Sequence, residues 1–219
     1  MDIIKAMYER NSVRRYTDEP LREEHIIALD QKIAEVNAES GLKFSLVTDE
    51  PEAFTGKMAS YGHFSGCTDY IIAVGKKGKD EEIGYFGEQL VLFAQSLGVN
   101  SCWVALTYSR NSVKPITQKG EKFYIVISLG YGIHQGRPHK NKPIEELCSC
   151  EGEMPDWFLN GVKGAMTAPT AMNQQKFHFT LVDGGVKAKA LFGPYSKMDL
   201  GIAKYHFELG VGERKFNWV

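Results

Sequence analysis

Three short stretches of this 219-residue chain carry most of its capacity for chemistry. The first is Arg10-Asn-Ser-Val-Arg-Arg15, three arginines and a serine close together. Guanidinium groups present a fixed fork of donors, so such a cluster suits charge-assisted hydrogen bonds to one phosphate. In an extended segment alternate side chains share a side, which would let Arg10, Ser12 and Arg14 converge on a single anion. A solvated basic N-terminus has the same composition. The second stretch is Ala168-Pro-Thr-Ala-Met-Asn-Gln-Gln175. Pro169 disfavours helix at Ala168, and Asn173, Gln174 and Gln175 then offer three amides, each with a donor and an acceptor end. They suit a heteroaromatic edge of alternating donors and acceptors, or equally a polar turn. The third is Pro138-His-Lys-Asn-Lys-Pro143, where His139, Lys140 and Lys142 could complete a phosphate site or simply line a solvated loop.

Other chemistries lack their residues. Gly130-Tyr-Gly-Ile-His-Gln-Gly136 has the spacing G-x-G-x-x-x-G and is followed by Pro138 and Pro143 rather than by a periodic helix, which argues against a dinucleotide-binding turn. Cys148-Ser-Cys150 has one intervening residue and no second ligand pair, so a plain loop is expected there and not zinc. No Ser-His-Asp or Cys-His order, Walker lysine or H-E-x-x-H pattern supports a hydrolase or kinase.

The elements that must position these residues follow from apolar periodicity. Ile26, Leu29, Ile33 and Val36 mark one face of a helix whose other face carries Glu23, Glu24, Lys32 and Glu35. Phe44 to Thr48 reads as a strand ending at Asp49-Glu-Pro51. Tyr70 to Gly75 is a continuous apolar run that suits a strand buried on both faces. Phe86, Leu90, Phe93 and Leu97 predict a second helix stopping at Gly98, and Phe123 to Leu129 is the strongest strand signal. Residues 148–156 are polar, contain Gly and Pro, and form the clearest internal boundary. Beyond them Phe158, Val162, Ala165 and Met166 predict a helix, Phe177, Phe179 and Leu181 a half-buried strand, and Leu200 to Leu209 a last helix. The 168–175 stretch is therefore a helix-to-strand loop.

Hydrophobic content of 43 % and charged content of 24 % are ordinary for a globular protein, and the formal charge of −1 gives no basis for sequence-independent nucleic-acid binding. The start has no apolar signal region, no run approaches a membrane span, and four cysteines are too few for a disulfide scaffold. A cytoplasmic protein with reduced thiols and no membrane contact is expected.

A weak internal repeat is also visible. Helix then Lys43-Phe-Ser-Leu-Val-Thr-Asp49 resembles helix then His178-Phe-Thr-Leu-Val-Asp183, and Gly87 to Gly98 followed by Trp103 resembles Gly201 to Gly210 followed by Trp218. The expectation is a first copy over 1–147 and a shortened second copy over 153–219, packed as one unit. Any two amphipathic helix-strand pairs share part of this likeness.

Together the segments resemble the FMN-dependent nitroreductase family. Arg10, Ser12, Arg14 and Tyr16 match its R-x-S-x-R-x-aromatic opening, and Ala168, Pro169, Thr170, Asn173 and Gln175 match its Ala-Pro-Ser-x-x-Asn-x-Gln loop with Thr for Ser. Leu97, Gly98, Ser101, Cys102 and Trp103 match Leu-Gly-x-x-Ser-Cys-Trp, and Leu129-Gly-Tyr131 with Lys142-Pro-Ile-Glu-Glu146 match a late motif. The loop usually lies soon after the arginines. Here that region reads Ala34-Glu-Val-Asn-Ala-Glu-Ser-Gly41, and the intact loop comes more than a hundred residues later, as in a subgroup with a displaced loop.

The resemblance implies an α+β fold, an α/β sandwich with a central mixed, mainly antiparallel sheet flanked by helices and partly duplicated. It implies FMN, with Arg10, Ser12 and Arg14 on the phosphate and ribityl chain, Lys140 and Lys142 assisting, and Pro169, Thr170, Ala171, Asn173 and Gln175 at the ring. A backbone N–H between Val104 and Thr107 would face flavin N5. NADH or NADPH would donate a hydride and a nitroaromatic, quinone or similar small acceptor would receive it, with no dedicated catalytic acid or base. Family members place FMN at a dimer interface. The second copy could instead supply in cis what a partner supplies, which admits a monomer and leaves a homodimer open. The alternative from another class is a degenerate, non-catalytic flavin binder.

Overall fold

A computed structural model describes residues 2–219. Helices and antiparallel strands dominate, the α+β class expected. The chain divides into two compact units: residues 1–79 with 89–138, and residues 80–88 with 139–219.

In the first unit α1 (Ile3–Glu9) precedes α2 (Glu23–Ser40), which buries Leu29, Ile33 and Val36 as the spacing predicts. A four-stranded sheet follows, in the order β1 (Lys43–Val47), β2 (Asp69–Lys76), β4 (Glu121–Gly130), β3 (Asn100–Val104), antiparallel throughout. β2 is buried along all but its last residue, which explains its unbroken apolar sequence. A short α3 (Gly56–Tyr61) lies before β2. Val13, Tyr16, Phe54, Phe64, Tyr70, Ile72 and Val126 belong to one buried cluster, which joins the segments around α3 to one face of the sheet. The degenerate stretch 34–41 is the end of α2. There Asn37 faces the chain rather than a ligand: its amide donates to the Phe44 carbonyl at 2.8 Å and accepts from the Phe44 N–H at 2.7 Å.

In the second unit α5 (Ile144–Leu147) leads into β5 (Cys148–Ser149), which pairs in parallel with β6 (Phe177–Val182). β6 pairs antiparallel with β7 (Gly185–Ala190). The expected boundary at 148–156 thus begins in a strand inside this unit, because Cys148 and Ser149 find backbone partners in Phe179 and Thr180. α6 (Asp156–Ala165) and α7 (Ser196–Val211) complete it, around rings of Phe158, Phe179, Phe207, Phe216 and Trp218 with centroids 4.7–5.9 Å apart. α4 (Asp80–Ser96) is divided, its first half in the second unit and its second half in the first. No helix among the described residues is long and apolar enough to cross a membrane.

Candidate functional site

In the first unit, residues 10–16 leave α1 as an extended rib held by its backbone. Val13 N–H donates to the Ser101 carbonyl at 3.0 Å, Ser65 N–H to the Arg14 carbonyl at 3.1 Å, and Tyr16 N–H to the Ser65 carbonyl at 2.9 Å. Val13 and Tyr16 are buried, and the Tyr16 hydroxyl donates to the Val13 carbonyl at 2.6 Å. Arg10, Ser12 and Arg14 occupy alternate positions of the same rib, although Tyr16, two residues further on, turns into the core. They converge on Cys102 of β3: burial pushes its thiol up, while Arg14, Ser12 and Arg10 all pull it down. Arg10 is only 4 % exposed and Arg14 is exposed, so the cluster runs from interior to surface. Beside it, the Ser101 hydroxyl is buried with no hydrogen-bond partner. Arg15 departs from this group and lines a cleft of about 460 Å³ with Phe54, Ser60, His63 and Phe64.

The glycines of 130–136 have a packing explanation. A Cβ at Gly132 would lie 2.9 Å from Val13, and one at Gly136, where φ is 72°, would lie 2.7 Å from Asn11. They let the rib of residues 11–16 approach the backbone closely. Gly132 N–H donates to the Asn100 side chain at 2.9 Å, so a buried asparagine at the start of β3 fixes the same turn.

In the second unit the basic stretch 139–142 and the 168–175 loop are laced together. His139 Nε2 bonds the Met166 carbonyl at 2.8 Å, and the Asn173 amide donates to the Lys140 carbonyl at 2.8 Å. Lys142 N–H donates to Gln175 Oε1 at 2.8 Å, and Gln175 Nε2 donates to Asn141 Oδ1 at 2.8 Å. Gln175 is 1 % exposed and its amide is committed to these bonds, so it shapes the loop from within. Lys140 is exposed, and Lys142 Nζ reaches the Gln175 carbonyl at 3.4 Å. Pro169, Thr170 and Ala171 are half-buried and Asn173 is exposed. Thr170 Oγ1 accepts from the Gln175 N–H at 3.1 Å, which leaves its own proton for another acceptor.

Sequence reading missed what holds the loop's other side. Ala171 N–H donates to both carboxylate oxygens of Asp199, at 3.0 and 3.2 Å, and Gln174 Nε2 donates to Asp199 Oδ2 at 2.9 Å. Asp199 lies in the first turn of α7, is 3 % exposed, and has its carboxyl pushed up to about 6 by burial. The one signal was a lone acid inside Met198-Asp-Leu-Gly-Ile-Ala203. Met172, Asn173 and Gln175 have φ of 52°, 51° and 43°, a left-handed region that side chains adopt only when the surroundings impose it. Among the described residues no group of three or more His, Cys, Asp or Glu could hold a metal.

A family model described as "Putative TM nitroreductase" matches residues 2–211. The chain belongs to this family. Nitroreductase folds also head the structural likenesses. A solved structure from Thermotoga maritima named for that class has a TM-score of 0.70 at 22 % identity, over 96 % of this chain and 83 % of that one. Another, from Desulfovibrio desulfuricans and in complex with FMN, has a TM-score of 0.52 at 20 % identity, over 71 % and 99 %. A third, from Streptococcus pneumoniae, has a TM-score of 0.50 at 12 % identity, over 66 % and 98 %. At these identities the likeness establishes the nitroreductase-like fold. No curated protein sequence matches the chain.

Proposed function

We propose that this nitroreductase-family chain is an FMN-dependent oxidoreductase that takes reducing equivalents from NADH or NADPH and delivers them to a small acceptor such as a nitroaromatic or quinone. The observation that carries the reading is the extended rib that lays Arg10, Ser12 and Arg14 along β3, with Ser12 bridged to Ser101 and the Val13 N–H bonded to the Ser101 carbonyl at 3.0 Å. The residues present fit a phosphate-bearing ligand: two guanidinium groups, a hydroxyl, and the orphaned buried hydroxyl of Ser101 beside them. Arg10, Ser12 and Arg14 would hold the phosphate and ribityl chain. Pro169, Thr170, Ala171 and Asn173 would flank the ring, with Gln175 and Lys142 fixing the loop's shape and Lys140 adding charge. The FMN-bound structure from Desulfovibrio desulfuricans supports the choice of cofactor at the level of the fold.

FMN supplies two-electron redox chemistry when bound. The chain's own part is orientation and electrostatics. The left-handed backbone at Met172 and Asn173 turns the exposed edge of the loop outward, and the Thr170 hydroxyl retains a proton to donate. The arginines compensate a phosphate dianion. No residue need move a proton to a substrate carbon, which agrees with a loop built from amides and a hydroxyl rather than a paired acid and base.

The displaced loop is part of the proposal: residues 1–147 and 153–219 are read as partial copies, the first keeping the phosphate-binding end and the second the ring-binding end. One chain then carries both sets of residues, which admits a cytoplasmic monomer and leaves a homodimer open. Flavin quantitation during gel filtration tests this, since FMN retained only by a dimer that needs loops from both chains would refute it. Reduction of bound flavin by NADH or NADPH, then reoxidation by a nitroaromatic, tests the activity. Flavin that binds yet is never reduced by either nucleotide marks the non-catalytic alternative.

A further inference from the structure

We propose that Asp199 is a positioning residue, the carboxylate that clamps the Ala168–Gln175 loop into its ligand-presenting shape. This rests on the assignment of that loop to the flavin ring, and goes beyond it by placing control of the loop on a helix outside the motif. The geometry is specific. Asp199 accepts from the loop's first turn through the Ala171 N–H, at 3.0 and 3.2 Å, and from its far end through Gln174 Nε2, at 2.9 Å. Gln174 Nε2 also donates to the Pro194 carbonyl at 2.6 Å, which ties the turn before α7 to the same clamp. Between the two tethers lie Met172, 81 % exposed, and Asn173, both held in left-handed backbone. Such conformations persist when bonds on either side over-determine them.

A carboxylate is the group the site needs, because every partner facing it is an N–H donor. An ionised carboxylate accepts at both oxygens, whereas an amide would turn its NH2 toward one of those donors. The charged groups of the surrounding elements are engaged elsewhere: Lys204 with Glu81 at 2.8 Å, His206 with Glu88 at 2.9 Å, and the Tyr85 hydroxyl with Glu208. None of them contributes to the perturbation of Asp199, which comes from burial opposed by the Gln174 and Ala171 hydrogen bonds. With its carboxyl pushed up to about 6, Asp199 gains a proton just below neutrality. The clamp then has one acceptor fewer and a donor where an acceptor is required. The Ala171 and Gln174 hydrogen bonds favour the ionised carboxylate, so loop order and ring binding should weaken together as pH falls through that value, even though burial of the neutral carboxyl favours the folded chain as a whole.

The test compares wild-type protein with Asp199→Asn, and with Gln174→Ala as a second variant that leaves the carboxylate in place. Amide hydrogen exchange of residues 168–175 is followed at one fixed pH near neutrality, and flavin binding is titrated between mildly acid and mildly alkaline pH. Riboflavin is the essential probe beside FMN, because it lacks the phosphate, whose own titration near about 6 would mask the effect. We expect faster exchange in both variants. Riboflavin affinity near neutrality should fall about tenfold in Asp199→Asn, the scale of one lost hydrogen bond to a charged group. Wild-type affinity for riboflavin should fall with acidification, and the Asp199→Asn profile should be flat. Identical exchange in wild type and variants, or saturable riboflavin binding whose pH profiles superimpose, would overturn the clamp. Loop exchange that responds to Asp199→Asn in a protein that binds neither flavin would uphold the clamp and remove the flavin assignment.

Discussion

His206→Ala should be among the most damaging single substitutions in the second unit. His206 and Glu88 are both fully buried, with Nε2 2.9 Å from Glu88 Oε1. The other ring nitrogen, Nδ1, lies 2.8 Å from Thr167 Oγ1, whose hydroxyl proton is directed to the Gly164 carbonyl at 2.8 Å. That hydroxyl can only accept from the ring, so Nδ1 carries a proton. Nε2 then either donates to a carboxylate or accepts from a carboxylic acid. Both arrangements hold the same number of protons and are neutral overall. Removing the imidazole takes this partner from a buried carboxyl and leaves a void, a loss of about 3–5 kcal/mol. For a chain of this size that is a fall of about 6–20 °C in melting temperature. Glu88→Gln retains an NH2 donor for a neutral Nε2 and should cost about 1 kcal/mol. Thermal unfolding by circular dichroism near neutral pH separates the two. A fall of less than about 3 °C in His206→Ala, or equal losses in both variants, would refute the reasoning. Because Thr167 immediately precedes Ala168, the same variant should also loosen the loop.

Other consequences can be measured independently. Arg14→Ala should weaken FMN binding by about ten- to a hundredfold, one charge-assisted contact, and riboflavin binding little, because only FMN carries the phosphate; unchanged FMN affinity would take Arg14 out of the site. Gly201→Ala would set a Cβ 1.9 Å from the Glu81 carbonyl oxygen, a backbone atom that cannot swing away, so a loss of about 3 kcal/mol is expected in chemical denaturation. Asp199 also leaves a mark on stability. Its folded value of about 6 exceeds the ordinary 3.8, so its contribution is fully present below 3.8 and is lost as pH rises through about 6. That loss is about 3 kcal/mol. Asp199→Asn lacks it, so the variant should gain on wild type by about that amount between acid and neutral pH in urea unfolding, and parallel curves would contradict the assignment.

Much of the fold was legible because burial and periodicity coincide. α2, β2, β4, α6 and β6 each bury most of the residues their spacing selects, as with Leu29, Ile33 and Val36 or Phe177 and Phe179, while Ile26, Phe123, Met166 and Leu181 at the ends of those faces are half-buried. β3 was not read as a strand, because it opens on Asn100 and Ser101, two polar residues, and the burial of Asn100 rests on bonds made far along the chain. Asn100 bonds Gly132 and Gln135. β7 has one buried residue, Val186, followed by the solvent-facing Lys187 and Lys189, and too little apolar pattern to read. At the site, the alternation of Arg10, Ser12 and Arg14 follows from chain geometry. Gln175 and Asp199 show the limit. Whether an amide faces a ligand or the loop interior depends on Lys142 and Asn141, some 33 or 34 residues earlier. A lone acid in an apolar helix gives no sign of the N–H groups it will meet.

The most direct measurement is titration of the purified, flavin-free protein with FMN, followed by anaerobic addition of NADH and then NADPH. Saturable binding of one FMN per chain, bleaching by at least one nucleotide, and recovery of the oxidised spectrum on adding a nitroaromatic or quinone is the predicted result. A protein that leaves the FMN spectrum and fluorescence unchanged would contradict the account.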